Sequence, residues 1–109
     1  EAPRGYGDVG ESSLDCALRE VLEETGLRFD ANEAQFLGRL MPNSALLASQ
    51  VDVYHLRADA RLAEREPDKE VRRSVSIACQ DMPACLAEGK ITDGFTLSAL
   101  ALLWARDSA

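Results

Sequence analysis

The stretch GYGDVGESSLDCALREVLEETGL, Gly5 to Leu27, constrains this chain more than any other part of it. Leu14, Ala17, Leu18, Val21 and Leu22 recur at spacings of three and four, the period of one helix face, so Ser12 to Thr25 is expected to be a helix with that stripe buried. Its ends agree with this. Ser12 or Ser13 can accept a hydrogen bond from a first-turn amide, Ser12 with Asp15 makes a capping-box pattern, and Gly26 suits a left-handed cap after Thr25. At about 100° per residue, Glu20, Glu23 and Glu24 share one arc opposite the apolar stripe.

Like charges three and four positions apart destabilise a helix by about 0.2–0.5 kcal/mol per pair unless a cation lies between them. A divalent ion would remove that penalty. Magnesium takes oxygen ligands and keeps several waters, so it suits one or two carboxylates per ion, with phosphate oxygens completing the shell. Two such ions would clamp a pyrophosphate and activate a bridging water, which is metal-assisted hydrolysis. A solvated acidic face is the alternative account of three glutamates taken alone. Gly5, Gly7 and Gly10 add a loop able to approach a ligand closely and to offer carbonyl oxygens to a metal.

The rest of the chain supplies the frame. With 109 residues, 46% hydrophobic and 28% charged, a single folded domain over 1–109 is expected. AQFLGRL and SQVDVYHLRA read as two strands joined by a loop at Pro42-Asn43-Ser44. The charged run DARLAEREPDKEVRR reads as a surface loop, SVSIACQ as a short strand, and Met82 to Glu88 as a helix closed by Gly89. After Asp93-Gly94, the run FTLSALALLWARD is apolar nearly all round and is expected to be a well-buried helix.

A net charge of −7 opposes binding to a nucleic-acid backbone. No apolar run approaches the roughly 18–20 residues of a membrane span. Cys16, Cys79 and Cys85 form no C-x-x-C pair and imply no disulfide framework, which points to a reducing, cytoplasmic setting. Cys16 is assigned to packing. His55 has no companion histidine, Trp104 and Phe95 fall at core spacing with Phe95 placed to edge a pocket, and Tyr6 lies beside the glycine loop within reach of a substrate.

Gly5, Glu11, Arg19, Glu20, Val21, Glu23, Glu24, Gly26 and Leu27 stand at every fixed position of the pattern G-x5-E-x7-R-E-U-x-E-E-x-G-U, with U a bulky aliphatic residue. The chain thereby resembles the Nudix hydrolases. The resemblance implies an α/β/α sandwich around a mixed sheet, and cleavage of nucleoside diphosphates linked to another group, with Mg2+ or Mn2+. It implies that Glu20, Glu23 and Glu24 line the metal site, joined by the backbone carbonyl of Arg4, and that Arg19 and Glu11 orient them. An arginine beside a carboxylate cluster suits that task, because its planar fork holds carboxylates where lysine presents a point charge.

EAPRG and GKITDGFTLSALALLWA resemble the lead-in and closing helix of the ADP-ribose and nucleotide-sugar pyrophosphatase branch. In that branch a loop glutamate helps supply the catalytic base, for which Glu64, Glu66 and Glu70 are candidates and Glu70, in DKEV, is preferred. Family domains usually carry several strands upstream of the box, whereas this sequence starts at Glu1, just before Gly5. That departure implies either an N-terminally truncated domain, the preferred reading, or a missing sheet edge supplied by a partner, a homodimer being one arrangement. The other functional reading is a Nudix-like module that senses a nucleotide without cutting it.

Overall fold

A computed structural model describes residues 1–5, 7–42, 50–59, 66 and 75–108. Helix α1 spans Ser13–Thr25. The Ser12 hydroxyl caps it by accepting from the Asp15 amide at 3.1 Å. It ends where Gly26 turns to φ +77°, a conformation costly for any residue with a Cβ. A 3₁₀ turn over Ala31–Glu33 leads into strand β1, Gln35–Leu40, which pairs antiparallel with β2, Val51–His55. The register sets Phe36 against Tyr54 and Gly38 against Val53, with a bulge between Phe36 and Gly38. Helices α2, Met82–Ala87, and α3, Gly94–Asp107, complete the order of elements. Asn43 to Ser49, most of the charged run after Asp59, and Tyr6 lie outside the described residues.

Helices α1 and α3 flank the strand pair, one on each face. Ser13 of α1 bonds the side chains of Asp52 and Tyr54, each at 2.7 Å. Leu102 of α3 packs over Gly38, whose partner is Val53. Side chains alternate along a strand, so residues 52 and 54 face α1 while 53 faces α3. This is an α/β arrangement, with a two-stranded antiparallel sheet among the described residues. Arg106 adds a tie between α3 and β1, donating to the Phe36 carbonyl at 2.7 Å.

A cavity of about 350 Å³ lies between α1, β2 and α3. Its wall includes every residue from Val51 to Leu56, so it runs along the edge of β2 turned away from β1. Ala17, Val21 and Thr25 close it from α1, and Phe95 and Ala99 from α3. Because that space is open, Cys16 and Phe29 are the buried apolar side chains among the described residues.

Two expectations are corrected. α3 has no buried residue, and Leu97 and Trp104 are 39% and 42% exposed, because the helix packs on β1 along one stripe with no described element over its other sides. Val75 to Ala78 of the expected strand SVSIACQ form no ladder, and Cys79–Asp81 turn as a 3₁₀ helix that runs directly into α2. Strand propensity needs a neighbouring strand to act on, and none among the described residues flanks Val75 or Ile77, both exposed. Helix α2 closes as expected, with Gly89 at φ +72°.

Candidate active site

The acidic arc of α1 is covered by the chain's own N-terminal segment. The Arg4 amide donates to Glu24 Oε2 at 3.1 Å. The Cys16 thiol, on the same side of the helix, donates to the Gly5 carbonyl at 3.6 Å. Gly5 sits so close to Glu20 that a Cβ built there would overlap Oε1 and Cδ of that carboxylate and stand 2.8 Å from Oε2. Glu20 is accordingly only 15% exposed at its side chain, and Glu23 31%. A freely solvated acidic face does not describe this arrangement, since backbone lies against carboxylate along the Arg4–Gly5 peptide.

Arg19 is the hub of the charges. Its Nε and Nη2 form a fork on Glu11 at 2.9 and 3.0 Å, while Nη1 donates to Glu20 Oε1 at 3.0 Å and Glu23 Oε2 at 3.2 Å. Asp8 adds a longer ion pair, 3.6 Å from Nε. One guanidinium thus gathers three box carboxylates from a loop and two helix turns, each bond charge-assisted. Glu11 is held a second time by the Asp8 amide at 2.9 Å, which closes the glycine loop over the start of α1.

Proton affinities follow these contacts. The Arg19 fork, helped by the Asp8 amide, lowers the pKa of Glu11. Glu11 in turn is the main reason the Arg19 guanidinium holds its proton more firmly than usual. Glu24 moves the other way: burial raises its pKa, the Glu20 carboxylate raises it further, and the Arg4 amide opposes them. Cys16 is raised by burial and by Glu11, which keeps it a thiol and fits the packing role assigned to it.

A second set of contacts anchors the N-terminal segment to α3. The Ala2 amide donates to Thr96 Oγ1 at 2.8 Å, and that hydroxyl donates to Asp93 Oδ2 at 2.8 Å. Asp93 also caps α3, accepting from the Thr96 amide at 2.9 Å. The Arg4 guanidinium lies over the Phe95 ring at 4.3 Å, and Phe95 and Arg4 both line the cavity. Of these residues, Arg4 and Phe95 are singled out by the sequence, whereas Ala2, Asp93 and Thr96 are not. Asp93-x-x-Thr96 carried a readable signal, the spacing of a helix N-cap, whereas Asp8 and the Ser13–Asp52–Tyr54 cluster carried none.

The structure brings Arg4, Glu11, Arg19, Glu20, Glu23 and Glu24 together. Glu64 and Glu70 lie outside the described residues, as does Tyr6, and Glu66 is exposed. His55 is half-buried on β2 and lines the cavity. The Glu20 and Glu24 carboxylates beside the Arg4–Gly5 peptide, with its carbonyls, are oxygen ligands of the kind that suits a hard divalent ion such as Mg2+ or Mn2+. Among the described residues no three acidic, histidine or cysteine side chains converge on a single ion position, since Arg19 holds Glu20 and Glu23 while the Arg4 amide holds Glu24. In chemical type the residues fit a divalent metal.

No described helix is long and apolar enough to cross a membrane. Comparison with curated proteins and with solved structures returns no match. A family model does match, over residues 1–92, and it spans the whole glycine loop, the acidic helix and both strands. By that match this chain belongs to the NUDIX domain family.

Proposed function

We propose that this protein hydrolyses the diphosphate linkage of a nucleoside diphosphate derivative, with ADP-ribose or a nucleotide sugar as substrate and Mg2+ or Mn2+ as cofactor. Family membership carries the coarser part, a hydrolase acting on nucleoside diphosphate derivatives. The observation that supports the metal site is the inward-turned acidic arc, with Glu20 and Glu24 packed against the backbone of Arg4 and Gly5, while the substrate class rests on the resemblance of EAPRG and the DGFT-led helix. Glu20, Glu23, Glu24 and the Arg4 carbonyl would hold the metal. When bound, it would supply Lewis-acid stabilisation of the diphosphate and lower the pKa of a water. Arg19 and Glu11 orient the carboxylates, and Glu23 or Glu70 accepts the proton of the attacking water. Arg4 and Phe95, which line the cavity, would border the substrate.

Turnover of ADP-ribose and of a panel of nucleotide sugars with Mg2+ tests this. Glu23→Gln and Glu24→Gln are expected to lower kcat by at least about 100-fold with the thermal midpoint nearly unchanged, because each keeps the side-chain shape while removing the charge that the reaction uses. Unchanged rates in both variants would refute it. One observation favours a binding-only module instead: the described acids do not converge on one ion position. Tight binding of the nucleotide without product release, at saturating Mg2+ or Mn2+, is the outcome that module predicts.

A further inference from the structure

The first turn of α3 lies far from the box in sequence, yet it carries two contacts to the segment that covers the acids. Thr96 Oγ1 accepts from the Ala2 amide at 2.8 Å across a separation of 94 residues. The Thr96 hydroxyl proton is committed to Asp93 Oδ2, also at 2.8 Å, so an oxygen lone pair is left facing Ala2. Asp93 is itself fixed by the Thr96 amide. One residue earlier, Phe95 takes the Arg4 guanidinium on its ring face.

What lies between these anchors is stiff. Pro3 has its φ set by the ring, and Ala2, preceding a proline, is restricted to extended conformations. A position imposed at Ala2 is therefore passed to Arg4 with little slack. The Arg4 amide meets Glu24, and the next residue, Gly5, packs against Glu20. We propose that Thr96 and Phe95 are positioning residues for the acidic site, acting through Ala2–Gly5 to set where the Arg4 carbonyl, Glu20 and Glu24 stand. The inference rests on the metal-dependent reading above, for which those three groups are ligands. Thr96 touches no reacting atom in this arrangement. It acts at two removes, as an outer partner that orients inner ligands.

The experiment measures Mn2+ binding to the full chain without substrate, by electron paramagnetic resonance of the free ion, beside thermal unfolding and steady-state kinetics. Thr96→Val keeps the shape and removes the acceptor for Ala2. It is expected to weaken Mn2+ binding by roughly tenfold, the lower end of what loss of an outer partner costs, and to lower kcat more than it changes KM. Thr96→Ser restores the hydroxyl and is expected to bind Mn2+ within about twofold of the starting protein, a span well inside that tenfold loss. A purely structural role would lower the thermal midpoint and leave Mn2+ affinity of the folded protein unchanged, and that result overturns the inference. Should Thr96→Val fail to fold, Phe95→Leu removes the second anchor, and unchanged Mn2+ affinity in it overturns the inference equally. A starting protein that binds no Mn2+ overturns the metal-dependent reading itself, whereas normal binding there with unchanged binding in the variants defeats only the positioning role.

Discussion

Gly5→Ala separates the site from the fold. The backbone at Gly5 has no positive φ, so alanine is conformationally acceptable there. What stands in the way is Glu20: the new methyl would overlap Oε1 and Cδ and approach Oε2 to 2.8 Å. The obstacle is the far end of a flexible side chain, so the stability cost is that of an altered rotamer, about 0.5–1.5 kcal/mol. For a domain of this size that is a fall of about 4–8 °C in thermal midpoint per kcal/mol. The site suffers more. To regain ordinary contact distance the carboxylate must retreat by about 1 Å, and a misplacement of that size costs about 100-fold in rate. Glu20 Oε1 also leaves Arg19 Nη1, now 3.0 Å away, so the guanidinium loses one of its carboxylates. Gly7→Ala is the control, because its Cβ would sit 3.7 Å from Glu11 Oε1, in ordinary contact. Initial rates on ADP-ribose with Mg2+, beside thermal unfolding, should show Gly5→Ala folded and about 100-fold slower, with Gly7→Ala within a few-fold of the starting protein. Gly5→Ala turning over at the unaltered rate, or both variants losing activity alike, would refute the reasoning.

Two further outcomes concern stability. Asp52 has its pKa lowered below the ordinary 3.8, first by the Arg39 hydrogen bond at 2.7 Å and then by Ser13. A carboxyl depressed in the folded state contributes stability above its unfolded value and loses that contribution as pH falls through 3.8 towards the folded value. Asp52→Asn should therefore lower the midpoint at neutral pH and flatten its decline in acid, as followed by circular dichroism melts from neutral pH down to about pH 3, below the ordinary carboxylate range; an acid limb as steep as before argues against the assignment. Gly26→Ala, at φ +77°, should cost about 1–2 kcal/mol by forcing a Cβ into the left-handed region, and an unchanged chemical-denaturation midpoint would contradict that.

Much of the fold was legible because its signals are local. Ser12, Asp15 and Gly26 bound α1 by hydrogen bonds within a few residues, and the strands at Gln35–Leu40 and Val51–His55 follow from polarity bounded by turn residues. The acids of the box share an arc by helical periodicity alone. The errors lie where local preference needed a tertiary partner. SVSIACQ has strand composition, but pairing depends on a neighbour, and its described part turns into a 3₁₀ helix. FTLSALALLWARD has the composition of a core helix, but burial depends on what covers each side, and Trp104 is left 42% exposed.

Residue types at a fixed spacing were enough to place Glu20, Glu23 and Glu24 on one arc of α1, because a helix converts spacing into angle without reference to the rest of the chain. Whether that arc met water or protein was open until the chain folded back on itself. Contacts between residues 2 and 96, 4 and 24, and 5 and 20 turn the arc inward, and each depends on where the segment before α1 comes to rest. Hydrogen-bond geometry across such separations is set by packing, which periodicity does not encode.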